Sequence, residues 1–150
     1  MHALTRSSEH TENLPLPLLG AELGFVTGGV RWALRLEAFA AFAAAVAVYA
    51  YNGFSWPIFA LLILAPDLPM LAYVAGPRTG AIAYNLAHSV TLALALALAL
   101  TLAGFFCGTP LAIAAGLIWI AHIGFDRALG YGIKYPTGFG DTHLGHIRRR

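Results

Sequence analysis

The sequence has 150 residues, of which 59% are hydrophobic and only 11% are charged, and its mean hydropathy is +0.70. A soluble domain of this length is typically about half apolar and about a quarter charged. The excess of apolar residues indicates a chain that faces lipid rather than water. The net charge of +2 is too small to indicate a nucleic-acid partner. Cys107 is the single cysteine, which excludes an internal disulfide and a multi-cysteine zinc site.

The first thirty residues have a different composition from the rest of the chain. Residues 1–13 are mostly polar and are followed by a Leu-Pro-Leu-Pro run at 14–17. The basic start, short apolar run and small-residue cleavage site of a secretory signal are not arranged in that order here. We expect a mobile polar tail over 1–30, with a candidate interfacial segment at 18–26, and one membrane domain over 31–150.

Four apolar runs follow the tail, each near the length of about 20 residues that crosses the hydrocarbon core of a bilayer. Each run ends at glycine, proline or asparagine residues that favour turns. The Leu-Ala alternation over 92–100 has a period of two, but both residue types are good helix formers, so we predict a lipid-facing helix there. The sequence therefore predicts an all-α fold, a four-helix membrane bundle. The predicted spans are Leu34–Tyr51, Trp56–Val74, Gly80–Phe106 and Pro110 to about Asp126.

Basic residues lie on one side of these predicted spans. The loops at 51–55 and 106–109 carry no charge, whereas all nine lysines and arginines lie in the tail, around the start of the first span, in the 75–79 loop or after the fourth span. Positive residues flank the cytoplasmic ends of membrane helices. We expect a multi-pass membrane protein with both termini in the cytoplasm. The basic residues are Arg6, Arg31, Arg35, Arg78, Arg127, Lys134, Arg148, Arg149 and Arg150.

Polar side chains inside the predicted spans gather at one depth, because neighbouring spans run in opposite directions. His122 and Asp126 are four residues apart and therefore share a helix face. The prolines at 66 and 69 predict a broken helix around Asp67, and a break is tolerated where it lines a polar cavity. Ionisable residues at this depth are costly and commonly functional. The polar set is Glu37, Asp67, Asn85, His88, His122 and Asp126.

Imidazole and carboxylate side chains on facing helices form a ligand set for a divalent metal ion. We predict a zinc, iron or manganese ion, with further residues assisting from the same face of the membrane. Glycines after the fourth span would let the last residues fold back over the site. The predicted metal ligands are Asp67, His88, His122 and Asp126; the predicted catalytic groups are Glu37, Asp67 and His143; the outer groups are Tyr84, Asn85 and Asp141; and Arg127 and Lys134 are predicted to hold an anionic headgroup.

Simpler interpretations of the same residues remain open. The His122–Asp126 pair is also the spacing of an ordinary hydrogen-bonded pair on a helix. Glu37 could instead form an ion pair with a neighbouring arginine, and Asp67 could cap the broken helix. The tail residues His143 and His146 could be solvated. What favours a site over these alternatives is that four spans contribute polar groups at one depth.

Several stretches of the sequence resemble the small bacterial membrane family known as domain of unknown function 4260. The resemblance covers about residues 31–145 and implies a helical fold in a bacterial inner membrane, without assigning an activity. The residues that carry it are 65–68 (Ala-Pro-Asp-Leu), 84–88 (Tyr-Asn-Leu-Ala-His), 122–135 and 141–145.

A more distant resemblance is to membrane-bound metal-dependent hydrolases, which have a proline-aspartate block, a histidine-serine block and a histidine and aspartate four residues apart. The corresponding blocks here are 66–67, 88–89 and 122–126. The sequence departs from that pattern because Tyr84 and Asn85 stand where a further histidine is expected. This resemblance implies metal-dependent hydrolysis.

Three functions follow from these observations. The first is a membrane-embedded metal-dependent hydrolase that acts on a lipid-like substrate at the cytoplasmic interface. The second is a carrier or channel for protons, metal ions or a small solute, which would require a homo-oligomer because four spans enclose little space. The third is a non-catalytic module whose polar network only fixes helix packing. A polar path to the far side would favour the carrier, and the sequence offers little there beyond Asn52, Ser55 and Thr109.

Overall fold

The protein is described here by a computed structural model that covers residues 24–146. These residues are helical except for connecting turns and a two-stranded antiparallel hairpin near the end. Most of the predicted tail, including most of its interfacial segment, lies outside the described residues. The helices are α1 (Gly28–Tyr51), α2 (Trp56–Leu62), a 3-10 helix (Ala65–Ala75), α3 (Pro77–His88), α4 (Val90–Cys107) and α5 (Pro110–Leu129), and the strands are β1 (Asp141–Thr142) and β2 (Gly145–His146).

Within residues 24–146, four helical segments are long and apolar enough to cross a membrane, which confirms the four predicted spans and the all-α class. Their large apolar side chains point outwards: Val74 is 93% exposed and Phe106 is 79% exposed. Outward-facing apolar surface on this scale fits contact with lipid. The side of the membrane on which the termini lie stays a prediction. The segments are Gly28–Tyr51, Trp56–Ala75, Val90–Cys107 and Pro110–Leu129.

The predicted third span is wrong as a single helix. The structure divides this region into α3 and α4 at Ser89, whose backbone is extended at φ −63° and ψ 124°. The interruption removes helical partners from nearby carbonyl groups, and the Trp119 indole Nε1 donates a 3.1 Å hydrogen bond to one of them, the Ala87 carbonyl. Residues 81–103 contain no proline or glycine, so the sequence gives no local sign of such a break.

The predicted break in the second span is confirmed. α2 ends at Leu62, and the chain continues as a 3-10 helix over Ala65–Ala75. Pro66 and Pro69 have no backbone N–H, and their rings obstruct α-helical hydrogen bonding. A 3-10 helix of 11 residues is long, since runs beyond about four residues are uncommon. The change of helix type places Asp67 in the first turn of the 3-10 helix.

α5 packs against both α1 and α4 through glycines that allow close backbone approach. A methyl group added at Gly124 would lie 2.8 Å from the Ala38 carbonyl oxygen and the Phe42 nitrogen of α1. At Gly116 it would lie 2.8 Å from the Ala97 carbonyl oxygen of α4. Small residues at helix contacts are the usual basis of tight packing in membranes. α5 is accordingly the most buried of the four candidate spans.

Candidate metal centre

Four side chains from different parts of the chain meet inside the bundle. Asp67 comes from the 3-10 helix, His88 is the last residue of α3, and His122 and Asp126 lie one turn apart on α5. One nitrogen or oxygen atom from each of them lies within 4.8 Å of all the others. Both histidines are buried, with 3% of His88 and 4% of His122 exposed. The structure thus brings together the four residues that the sequence proposes as metal ligands.

The atoms of this cluster are spaced almost evenly. The two Nε2 atoms of His88 and His122 are 3.1 Å apart. Asp67 Oδ1 lies 3.4 Å from His88 Nε2 and 3.5 Å from His122 Nε2. Asp126 Oδ2 lies 3.6 Å and 3.7 Å from the same two nitrogens. Five of the six distances among the four atoms therefore fall between 3.1 and 3.7 Å.

This spacing matches the geometry of a small divalent ion. Zinc binds imidazole nitrogen and carboxylate oxygen at about 2.1 Å, and four ligands at the corners of a tetrahedron are then about 3.4 Å apart. The observed distances scatter around that value. Two ionised aspartates with two neutral histidines would carry a charge of about −2, which a divalent ion would cancel in surroundings where net charge is costly. The donor set therefore fits a divalent metal ion by both distance and charge.

The backbone of α3 sets the protonation of one ligand. His88 Nδ1 lies 3.1 Å from the Tyr84 carbonyl oxygen, one helical turn earlier. A carbonyl oxygen only accepts hydrogen bonds, so Nδ1 carries a proton, and in the neutral form of the ring the Nε2 lone pair points into the cluster. Metal-binding histidines are commonly oriented by such a bond from the other ring nitrogen.

Tyr84 links the cluster to its surroundings. Its ring stacks on the His88 ring, with centroids 3.7 Å apart and planes 10° from parallel. Its hydroxyl donates to Asp126 Oδ2 at 3.3 Å. Tyr84 thus touches two of the four cluster residues, and its predicted outer role stays a prediction. Lys134 lies beyond it, with Nζ 4.7 Å from the centre of the Tyr84 ring.

The segment after α5 folds back over α3. Asn85 joins the two by a pair of hydrogen bonds, in which its Nδ2 donates to the Lys134 carbonyl at 2.8 Å and its Oδ1 accepts from the Lys134 N–H at 2.7 Å. The returning chain is fixed further by backbone bonds between Ile133 and His143 and between Tyr135 and Asp141. Asn85 therefore links α3 to the C-terminal segment by two hydrogen bonds.

Other proposed site residues lie outside the group of four, and their roles stay predictions. Asp141 Oδ2 accepts from the Thr137 hydroxyl, and its Oδ1 contacts His146 Nδ1. His143 Nδ1 accepts from the Ile133 N–H at 2.9 Å. All three interactions belong to the C-terminal segment rather than to the cluster.

Two cations and one carboxylate were proposed to act beside the metal. Lys134 is only 3% exposed, and its Nζ donates to the Phe139 carbonyl at 2.8 Å. Burial lowers the pKa of Lys134, while the Asp126 and Asp67 carboxylates act in the opposite direction. Glu37 and Arg127 instead line a cavity between α1, α4 and α5. Arg127 also lines a narrow cleft against Tyr84, His88 and Asp126.

Two contacts near this site were not predicted from the sequence. Trp119 donates a hydrogen bond to the Ala87 carbonyl and so stabilises the break next to His88. Arg35 was read only as a cytoplasmic charge, but its Nε donates at 2.7 Å to the Ala128 carbonyl in the last turn of α5. Both hydrogen bonds join residues of different helices, so they can be recognised only when the packing of those helices is known.

The fold and the cluster define a class: a multi-pass helical membrane protein with two buried histidines and two aspartates grouped as a potential metal site. Comparison with known families matches residues 31–147 to the domain of unknown function DUF4260, so the chain belongs to that family. The expected membership is thereby confirmed. Neither the curated proteins nor the solved structures gave a match.

Proposed function

We propose that this protein is a membrane-embedded metal-dependent enzyme, a hydrolase that acts on a membrane-associated substrate at the cytoplasmic interface. The observation that carries the proposal is the even spacing of four donor atoms from Asp67, His88, His122 and Asp126. Such a spacing needs a reason, because two carboxylates held close together away from water repel each other. A shared divalent ion supplies that reason.

The ion would contribute Lewis acidity, which brings the pKa of a bound water towards neutrality. The chain would contribute orientation and proton transfer. Tyr84 directs Asp126 through its hydroxyl group. The Asp67 side chain is 26% exposed, against 4% for each histidine, so it is the cluster residue that substrate or water reaches most easily. Asp67 therefore suits the role of proton acceptor as well as ligand.

The two other functions account for less of the geometry. A packing network explains the 3.1 Å contact between the two Nε2 atoms as a hydrogen bond with one nitrogen protonated. It leaves unexplained why both carboxylates also approach both nitrogens. A carrier would require a polar route from the cluster to the far membrane face. Cys107 and the loop residues beside it at that face are exposed apolar or uncharged groups, which does not favour such a route.

The experiment is a hydrolysis assay on detergent-purified protein that has been stripped with a chelator and reloaded with zinc, manganese or ferrous iron. Fluorogenic esters and phosphodiesters that carry an acyl chain serve as substrates. We expect activity that depends on the added metal and falls by about a hundredfold or more in Asp67→Asn and Asp126→Asn, because losing a ligand should cost at least the roughly 10–100-fold that losing a residue behind a ligand costs. Asp141→Asn is the matched control and should keep it.

Two outcomes would contradict the proposal. One is equal turnover by stripped and reloaded protein. The other is equal activity in Asp126→Asn and Asp141→Asn, because only the first residue belongs to the cluster.

A further inference from the structure

A cavity of about 210 Å³ lies between α1, α4 and α5, beside the cluster rather than within it. It is partly open, and eight of its ten lining residues are apolar or glycine. Small-molecule sites commonly enclose about 300–1,000 Å³, so this cavity would hold part of a ligand and leave the rest outside. Its apolar lining consists of Leu34, Ala38, Ala41, Val90, Leu94, Ile120, Ile123 and Gly124.

The cavity adjoins the candidate metal centre along α5. Ile123 and Arg127, which line it, directly follow the cluster residues His122 and Asp126. The same two residues also line a narrow cleft against Tyr84, His88 and Asp126. A ligand in the cavity would therefore have its polar end near the cluster.

Two opposite charges line this apolar cavity without neutralising each other. Glu37 and Arg127 form no ion pair within 4.0 Å with each other or with any other residue of 24–146. The Arg127 guanidinium donates no hydrogen bond to a residue in that same range. Charged groups at membrane depth normally have partners, so a ligand that carries both signs of charge would complete the site.

We propose that this cavity binds a zwitterionic amphiphile, with its acyl chain between α1, α4 and α5, its anionic group on Arg127 and its ammonium group on Glu37. A bilayer supplies such molecules directly to a cavity between membrane helices. The amphiphile would be the substrate of the neighbouring cluster, and that part of the inference rests on the proposed function. The binding itself does not depend on it.

The test is a titration of detergent-purified protein with lysophosphatidylethanolamine or lysophosphatidylglycerol, followed by native mass spectrometry. We expect Ala41→Phe, which fills the cavity, to weaken binding of both lipids by about tenfold or more, the loss expected when an apolar contact surface is blocked. Ala43→Phe is the matched control, because Ala43 is exposed on the same helix but does not line the cavity. It should bind as the wild type does.

The headgroup assignment is tested with the same two lipids. Arg127→Gln should weaken the binding of both lipids, because both carry a phosphate. We expect the wild type to prefer the ethanolamine lipid, and Glu37→Gln should weaken the binding of that lipid alone and so abolish the preference. Arg78→Gln is the charge control, since Arg78 is exposed and does not line the cavity. Equal lipid binding by Ala41→Phe and Ala43→Phe would contradict the cavity as the binding site. An unchanged headgroup preference in Glu37→Gln would contradict the assignment of the ammonium group to Glu37.

Metal content measured on the same samples separates this inference from the proposed function. Ala41→Phe that keeps its metal but loses the lipid supports the inference. If the protein contains metal but the cavity substitutions do not change lipid binding, the inference is contradicted and the proposed function is not. Protein that binds the lipid as described but takes up no metal supports the binding site and contradicts the metalloenzyme.

Discussion

The His143 ring accepts the Ile133 N–H through Nδ1 and thereby helps to hold the C-terminal segment. Burial and the nearby charge of Arg127 lower the pKa of His143 below its ordinary value of about 6.5. Between the two pKa values the unfolded state binds more protons, so this contribution is complete above about pH 6.5 and is lost as the pH falls through the folded pKa. We predict that hydrogen exchange over 133–146, corrected for intrinsic rates, accelerates as the pH falls from about 7.5 to about 5.

A single substitution separates His143 from other titrating groups. In His143→Asn the side-chain oxygen can accept from Ile133 but does not titrate in this range, so the pH dependence should flatten. His146→Gln is the control, because His146 contacts Asp141 at the exposed side of the hairpin. A pH response that persists in His143→Asn and disappears in His146→Gln would contradict this prediction, because the effect would then come from His146.

Asn85 holds the C-terminal segment by two hydrogen bonds to the Lys134 backbone. Asn85→Ala leaves that N–H and carbonyl without partners, at a cost of about 1–3 kcal/mol for each buried group left unpaired. We predict faster proteolytic cleavage between residues 130 and 140 and a lower melting temperature in detergent. Asn52→Ala is the control, since Asn52 bonds only to its own helix end at an exposed turn. Equal effects of the two substitutions would show that Asn85 does not fasten the segment.

At the level of whole elements, the contact between α5 and α1 depends on Gly124. A methyl group there meets backbone atoms of Ala38 and Phe42 that cannot rotate away. We predict that Gly124→Ala lowers the free energy of unfolding by about 1–3 kcal/mol, the usual cost of overpacking. Thermal unfolding in detergent, followed by circular dichroism, measures the change. Gly29→Ala on α1 has open space around the added methyl and should be neutral or slightly stabilising. If both variants melt alike, the close helix contact is not formed.

The elements also show which features a sequence carries locally. The break before Asp67 was predictable, because Pro66 and Pro69 on either side of it cannot donate helical hydrogen bonds. The break at Ser89 was not, because it is supported by Trp119 from another helix. α1 begins at Gly28, six residues before its predicted start at Leu34, because the helix also includes two glycines and Arg31, which lie outside the apolar run. Interruptions with a backbone cause can be read from sequence, whereas those with a tertiary cause cannot.

The same distinction applies to the site. The four cluster residues were predictable because polar side chains stand out in apolar helices and fall at one depth. The positions of Asp141 and Lys134 were not, because they depend on how the C-terminal segment pairs with α3 and with itself. Glu37 was predicted at the correct end of α1, but the helix turns it towards the cavity beside Arg127.

For the whole molecule, the expected orientation can be tested with the native cysteine. Cys107 is exposed at the end of α4, at the membrane face opposite Arg78. We predict that a membrane-impermeant maleimide labels Cys107 from the periplasmic side of intact, outer-membrane-permeabilised cells. In a Cys107→Ser background, Asn52→Cys should be labelled from the same side and Arg78→Cys only after lysis. Labelling of Arg78→Cys in intact cells would reverse the orientation.

The central claim is that the cluster of Asp67, His88, His122 and Asp126 binds a divalent metal ion. The most direct measurement is metal content by mass spectrometry on detergent-purified protein, comparing His88→Ala and His122→Ala with His146→Ala, a histidine outside the cluster. The account predicts nearly stoichiometric zinc, iron or manganese in the wild type and in His146→Ala, and its loss in both cluster variants. A folded wild-type protein that contains no such metal and takes up none when it is added would contradict it.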